Sequence, residues 1–161
     1  MILYFLRHGR AEDARAGDDE GRRLSAEGAA QLRAASAIWR RLNLRPDVVV
    51  SSPLPRARET ARIFCEALGV AQPRTDDDLR PGAGWPHFAR ALARHPDARR
   101  VAFVGHEPDL SAAISEVTGA SSVRMRPGGL ACVEFYGVPE PAGGEIAWLI
   151  DPDLYAGEPT G

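Results

Sequence analysis

The chain contains no lysine: all 20 of its basic residues are arginine. That absence is not in itself a sign of anion recognition, because a genome-wide codon bias leaves the same excess. Cysteine is nearly missing too, with 2 in 161 residues. Cys65 falls on the apolar face of an expected helix and Cys132 in an apolar strand, so both read as small core residues. They make no disulfide framework and offer no zinc-ligand spacing. There is no surplus of either charge, the formal net charge being −2, which argues against a nucleic-acid surface and a polybasic membrane patch. Long apolar runs are lacking as well. The opening "MILYFL" is too short for the apolar part of a signal peptide, and no stretch approaches membrane-spanning length. Internal repeats, coiled-coil heptads and long linkers are also missing. The expectation is a soluble chain in a bacterial-type cytoplasm, a monomer with no metal and no cofactor, and with no nucleic-acid or membrane partner.

What is present suits one α/β domain over residues 1–161, with enough apolar sequence for a sizeable core. "MILYFL" reads as a strand buried on both faces. "RAEDARAGDDEGRR" (10–23) is polar and charge-dense and reads as a mobile surface loop. From Ser25, a helix cap, a helix is expected to about residue 44, with Leu32, Ala35, Trp39 and Leu42 at helical spacing. "RPDVVVSS" supplies a second strand over about 47–51. The helix after it starts near Pro53, with Ser52 as its cap and Gly69 as its stop. A short strand near Leu79, a helix over about 86–95, a third buried strand in "RRVAFVGHEP" and a helix over about 109–118 follow. "GLACVEFYG" and "EIAWLID" close the chain as a strand pair around a hairpin loop, and residues 152–161 read as a loose tail. The order predicts a three-layer α/β/α sandwich with a mostly parallel central sheet.

The polar residues follow a pattern. Each of three apolar strands ends in polar residues: Arg7-His8 after the first, Ser51-Ser52 with Arg56 after the second, His106 after the third. Strands joined through helices are expected to be parallel, so their C-terminal ends line one edge of the sheet, where ligands of open α/β sheets bind. Two arginines and two histidines then meet in one crevice. The combination suits phosphate. Guanidinium groups grip its oxygens with forked, charge-assisted bonds, and a helix N-terminus adds a favourable dipole. A neutral imidazole attacks phosphorus and forms a phosphohistidine that water then hydrolyses. Gly9 allows a sharp turn and a close approach of backbone to ligand.

At these residues the sequence resembles the histidine phosphatase superfamily, the phosphoglycerate mutase-like or "RHG" family. Arg7-His8-Gly9 matches the signature triplet, "SSPLPRARETA" is similar to the second block, and "VGHEP" is similar to the third. The resemblance implies that His8 is the phosphoacceptor, that Arg56 binds phosphate and that His106 contacts it. "LSAEGAAQ" and "GGLACVEF" are similar to segments of the SixA-type protein phosphohistidine phosphatases, which are small and have little lid. The chain also lacks the long insertion with which mutases cover a sugar phosphate. The implied substrate is phosphohistidine on a protein. A small phosphorylated metabolite, or phosphate binding without catalysis, are the alternatives.

The site expected is therefore His8, Arg7, Arg56 and His106 as the catalytic set, with Gly9 also contacting substrate and no metal. The resemblance places a general acid after the second helix, where "TDDDLRP" offers Asp76, Asp77 and Asp78, with Asp78 the nearest counterpart. A solvated loop is the competing reading of those three carboxylates. Glu107 either orients a neighbouring group or is solvated. Arg58, Glu59 and Arg126 read as surface charges, and His87 and His95 receive no role.

Overall fold

An apolar run without alternation belongs in the middle of a sheet, and β1 (Ile2–Arg7) is there. It pairs in parallel with β4 (Arg100–Gly105) and antiparallel with β5 (Leu130–Phe135). In this computed structural model, which describes residues 1–14 and 17–155, the sheet has six strands in the order β3-β2-β4-β1-β5-β6. β2 (Val48–Ser51) pairs in parallel with β4 and with the two-residue β3 (Arg74–Thr75), and β6 (Gly144–Ile150) lies antiparallel on β5.

Alternate residues of the central strands feed two separate cores. Leu3, Phe5, Val50, Val101 and Phe103 pack with Phe88 of α3 (Trp85–Ala93) and with Leu110 and Ile114 of α4 (Asp109–Thr118). Tyr4, Leu6, Val49, Ala102 and Val104 pack with Leu32 and Trp39 of α1 (Ala26–Arg41) and with Ala57 and Phe64 of α2 (Pro55–Leu68). The result is the three-layer α/β/α sandwich. No helix among the described residues is long and apolar enough to cross a membrane. The connection leaving β1 runs over the α1 face, and the one leaving β4 runs over the α4 face. The neighbouring ends of β1 and β4 are thus a topological switch point, where the loops part and leave a crevice.

Several boundaries differ from expectation for local reasons. α2 begins at Pro55, not near Pro53, because a residue preceding proline is pushed out of the helical region; Leu54 is extended, at φ −67° and ψ 141°. α1 stops at Arg41, short of 44, as Asn43 turns to φ +52°. The strand expected near Leu79 is instead a 3₁₀ turn over Asp77–Leu79, nucleated where the Asp76 carboxylate accepts from the Asp78 amide at 3.0 Å. The loose tail is corrected in part. Pro152 and Tyr155 are buried in a 3₁₀ turn against α1, and Trp39 Nε1 donates to the Tyr155 hydroxyl at 3.4 Å. Residues 156–161 of that expected tail lie outside the described residues.

Candidate active site

The register of β1 on β4 sets two histidines side by side. Arg7 is paired with Gly105, so His8 and His106 leave the sheet together. The His8 amide donates to the Gly105 carbonyl at 3.0 Å, and the imidazole centroids are 5.1 Å apart. β2 flanks β4 on its other side, and the Ser52 amide continues the ladder to the Val104 carbonyl at 2.9 Å. α2 starts three residues later and carries Arg56 in its first turn, only 4% exposed. Arg7, His8, Gly9, Arg56 and His106 line one cleft of about 460 Å³, with Asp19, Arg22, Pro81, Glu107 and Pro127 on its walls. A larger hollow of about 660 Å³ lies at the opposite end of the strands, between Pro46–Val49 and Arg94–Ala98. It holds none of these paired groups.

Hydrogen bonds fix which ring atoms face the cleft. His8 Nδ1 lies 2.7 Å from the Gly9 carbonyl, which only accepts, so Nδ1 carries the proton and Nε2 keeps a free lone pair. His106 Nε2 lies 2.7 Å from Ser52 Oγ. That hydroxyl is buried, accepts from the Leu54 amide at 3.3 Å and has, among the described residues, no other acceptor for its own proton, so it donates to Nε2 and the ring proton of His106 sits on Nδ1. Burial, reinforced by Arg56 and Arg7, pushes the His8 imidazole down to about 4. Burial, then the neighbouring His8 and Arg56, pushes His106 down to about 3. Both rings are therefore neutral near pH 7.

The two arginines are held from behind. Arg7 Nη1 donates to the Met125 carbonyl at 2.7 Å. Thr60, one helical turn beyond Arg56, donates to the Arg56 carbonyl at 2.8 Å and accepts from the Gly9 amide at 3.1 Å, joining the first two blocks. A side chain on Gly9 would meet Leu32 Cδ1 at 2.8 Å, so glycine lets this turn sit directly on α1. Among the described residues, four buried side-chain polar atoms lack a hydrogen-bond partner. Three of them are Arg7 Nε, Arg56 Nε and His106 Nδ1. Buried donors are rarely left so, and three gathered beside one cleft suit an anion with several oxygens.

The carboxylates lie differently from the expectation. Asp78 does not line the cleft. It pairs with Arg90 at 2.5 Å and Arg94 at 2.8 Å, and those guanidiniums hold it below the usual carboxylate range. Asp76 pairs with Arg94 and Asp77 with Arg80, so the turn presents Pro81 to the cleft instead. That turn is pinned by Asp109, whose Oδ2 accepts from the Gly82 and Ala83 amides at 2.8 and 3.1 Å. Glu107 is a cleft residue, half-buried, its carboxylate accepting from the Ser111 amide at 3.2 Å and hydroxyl at 2.5 Å. Burial raises it above the ordinary glutamate value. Asp19, in the segment read as a mobile loop, contacts Arg56: Arg56 Nη1 donates to its carbonyl at 2.9 Å, and Nη2 lies 3.6 Å from its carboxylate. Glu59, read as a surface charge, accepts from Arg23 Nε at 2.6 Å and from the Leu24 amide at 2.8 Å, and ties the end of that same segment to α2. Arg126 turns away to Asp151 and Asp153. Only Thr60 had a sequence signal, its position four residues after Arg56; nothing local marks Asp19 or Asp109.

The histidine phosphatase superfamily (branch 1) model matches residues 3–81, which include Arg7, His8, Gly9 and Arg56. The chain belongs to the histidine phosphatase superfamily. Membership in it indicates phosphatase activity. An uncharacterized protein of Picosynechococcus sp. is 37% identical over 114 residues, 68% of each chain. Among solved structures, the protein histidine phosphatase SixA complexed with tungstate superposes with a TM-score of 0.83 at 21% identity, over 95% of this chain and 98% of that one. A protein from Nakamurella multipartitia assigned as phosphohistidine phosphatase SixA gives 0.74 at 28% identity, over 94% and 95%. A mycobacterial glucosyl-3-phosphoglycerate phosphatase shares the fold, at 0.67 and 20% identity, over 91% and 96%.

Proposed function

We propose that this phosphatase works through a phosphohistidine on His8 and removes phosphate from phosphohistidine on a protein. The observation that carries the reading is the set of groups turned to one cleft: the free lone pair of His8 Nε2 and the unpartnered donors on Arg7, Arg56 and His106. The Nε2 lone pair forms an N–P bond as the substrate's own N–P bond breaks, and the electron pair leaves with the substrate imidazole. The arginines and His106 Nδ1 hold the equatorial oxygens, where preorganised charge matters most. Water then attacks phosphorus, the electron pair returns to Nε2, and inorganic phosphate departs. On this reading the chain acts as a single-domain monomer without metal or cofactor.

The cleft walls favour an imidazole leaving group. An ester leaves as an alkoxide and calls for a placed general acid. Asp78 is engaged elsewhere, Asp19 is held ionised by Arg22 and Arg56, and both Glu107 oxygens accept from Ser111, which works against the rise that burial gives its carboxyl. Imidazole is a far better leaving group and needs no such acid. The SixA structures that share the fold support the same substrate. The metabolite phosphatase among the structural neighbours favours a second reading, a small phosphorylated metabolite in the same cleft. Comparing kcat/KM on a phosphohistidine peptide and on a set of sugar phosphates and phosphoglycerates separates them. We expect the peptide to lead by about two orders of magnitude or more, the range one placed acid is worth. Parity, or a lead for a metabolite, supports the second reading; binding without turnover of any of them supports a phosphate-binding module.

A further inference from the structure

Arg56 is the most deeply buried cation of the cleft, and both of its terminal nitrogens already face one residue. Nη1 donates to the Asp19 carbonyl at 2.9 Å, and Nη2 lies 3.6 Å from Asp19 Oδ2. The other carboxylate oxygen, Oδ1, pairs with Arg22 Nη1 at 2.9 Å. Asp19 itself is 65% exposed at its side chain, while Arg56 is 5% exposed at its own. An exposed carboxylate thus sits on the group that is proposed to grip phosphate, and it lines the same cleft. A carboxylate and a phosphate oxygen compete for the same forked donor. Two anions on one guanidinium repel each other unless one moves.

We propose that Asp19 is a built-in competitor for the phosphate subsite: it neutralises Arg56 in the free protein and gives way when a tetrahedral oxyanion binds. The inference rests on the phosphate-binding reading of the cleft. It makes Asp19 a determinant of how tightly substrate and product phosphate bind, and not a group that touches the reacting atoms. The competing possibility is that Asp19 holds Arg56 in its binding pose, in which case its removal weakens binding.

The two are distinguished by titrating inorganic phosphate into the full chain by calorimetry, with wild type, Asp19→Asn and Asp19→Glu compared. KM and kcat are measured in parallel on a phosphohistidine peptide. A partly exposed ion pair of this kind is worth about fivefold in an equilibrium constant. Asp19→Asn is therefore expected to tighten phosphate binding about fivefold and to lower KM by a similar factor, with a smaller change in kcat. Asp19→Glu, which restores the charge, is expected to return both toward wild type. Unchanged or weaker phosphate binding in Asp19→Asn overturns the inference while leaving the cleft reading in place. If neither wild type nor Asp19→Asn binds phosphate, the cleft reading itself fails and the inference falls with it.

Discussion

At the scale of single residues, the site depends on keeping two imidazoles uncharged beside two guanidiniums. Burial is the larger cause for both rings, with the arginine charges adding to it. The sign follows directly. A pKa pushed below the ordinary histidine value leaves the neutral ring present at and below neutral pH, and the lone pair is lost only as pH falls through the lowered value. In the free protein, a histidine-resolved NMR titration is expected to show His8 neutral at pH 6 with its proton on Nδ1, and to protonate at about 4. A midpoint near 6.5 contradicts the environment described for it. Removing the charge of Arg56 as Arg56→Gln is expected to raise that midpoint, since Arg56 is one of the groups holding it down. Arg7, His8, Arg56 and His106 were all legible as candidates in the sequence, because each follows an apolar run too short to be anything but a buried strand, or opens the helix beyond one. Asp19 was not legible. Its contact with Arg56 crosses 37 residues and arises from a polar segment with no periodicity. Asp78 misled because three carboxylates after a helix are the same string whether they face a cleft or pair with the arginines of the next helix.

At the scale of elements, the β1–α1 connection decides how closely the signature turn sits on the helical layer. Gly28, in the first turn of α1, lies directly against the Arg10 backbone: a Cβ there would stand 2.2 Å from the Arg10 carbonyl oxygen. That oxygen also accepts from the Ser25 amide at 2.9 Å, and Ser25 Oγ accepts from the Gly28 amide at 3.0 Å. The cap of α1 and the turn after His8 are one assembly. Gly28→Ala is expected to cost about 1–3 kcal/mol, as overpacking against backbone does, and to lower the urea midpoint accordingly. A variant as stable as wild type shows that the turn yields without loss. Element order and type were readable from apolar runs, prolines and glycines. Edges moved where one residue ruled: Pro55 delayed α2, and Asp76 closed a turn where a strand was expected. The last strand pair was readable as a hairpin, but the docking of Tyr155 on Trp39 was not, because it joins residues 116 positions apart.

For the whole molecule, the arrangement that matters is the switch point between β1 and β4, with β2 on the far side of β4. Three strand ends from distant parts of the chain supply one cleft, and two independent cores keep them in register. On the proposed reading, turnover requires all three at once, and that requirement can be tested directly. Rapid quenching of the full chain during turnover of a phosphohistidine peptide, followed by mass spectrometry under alkaline conditions, reads where phosphate resides. Phosphate is expected on His8, stable in alkali and lost in acid, and absent from His8→Asn, which should also lose turnover. Full activity in His8→Asn, or an acid-stable phosphate on another residue, would contradict it.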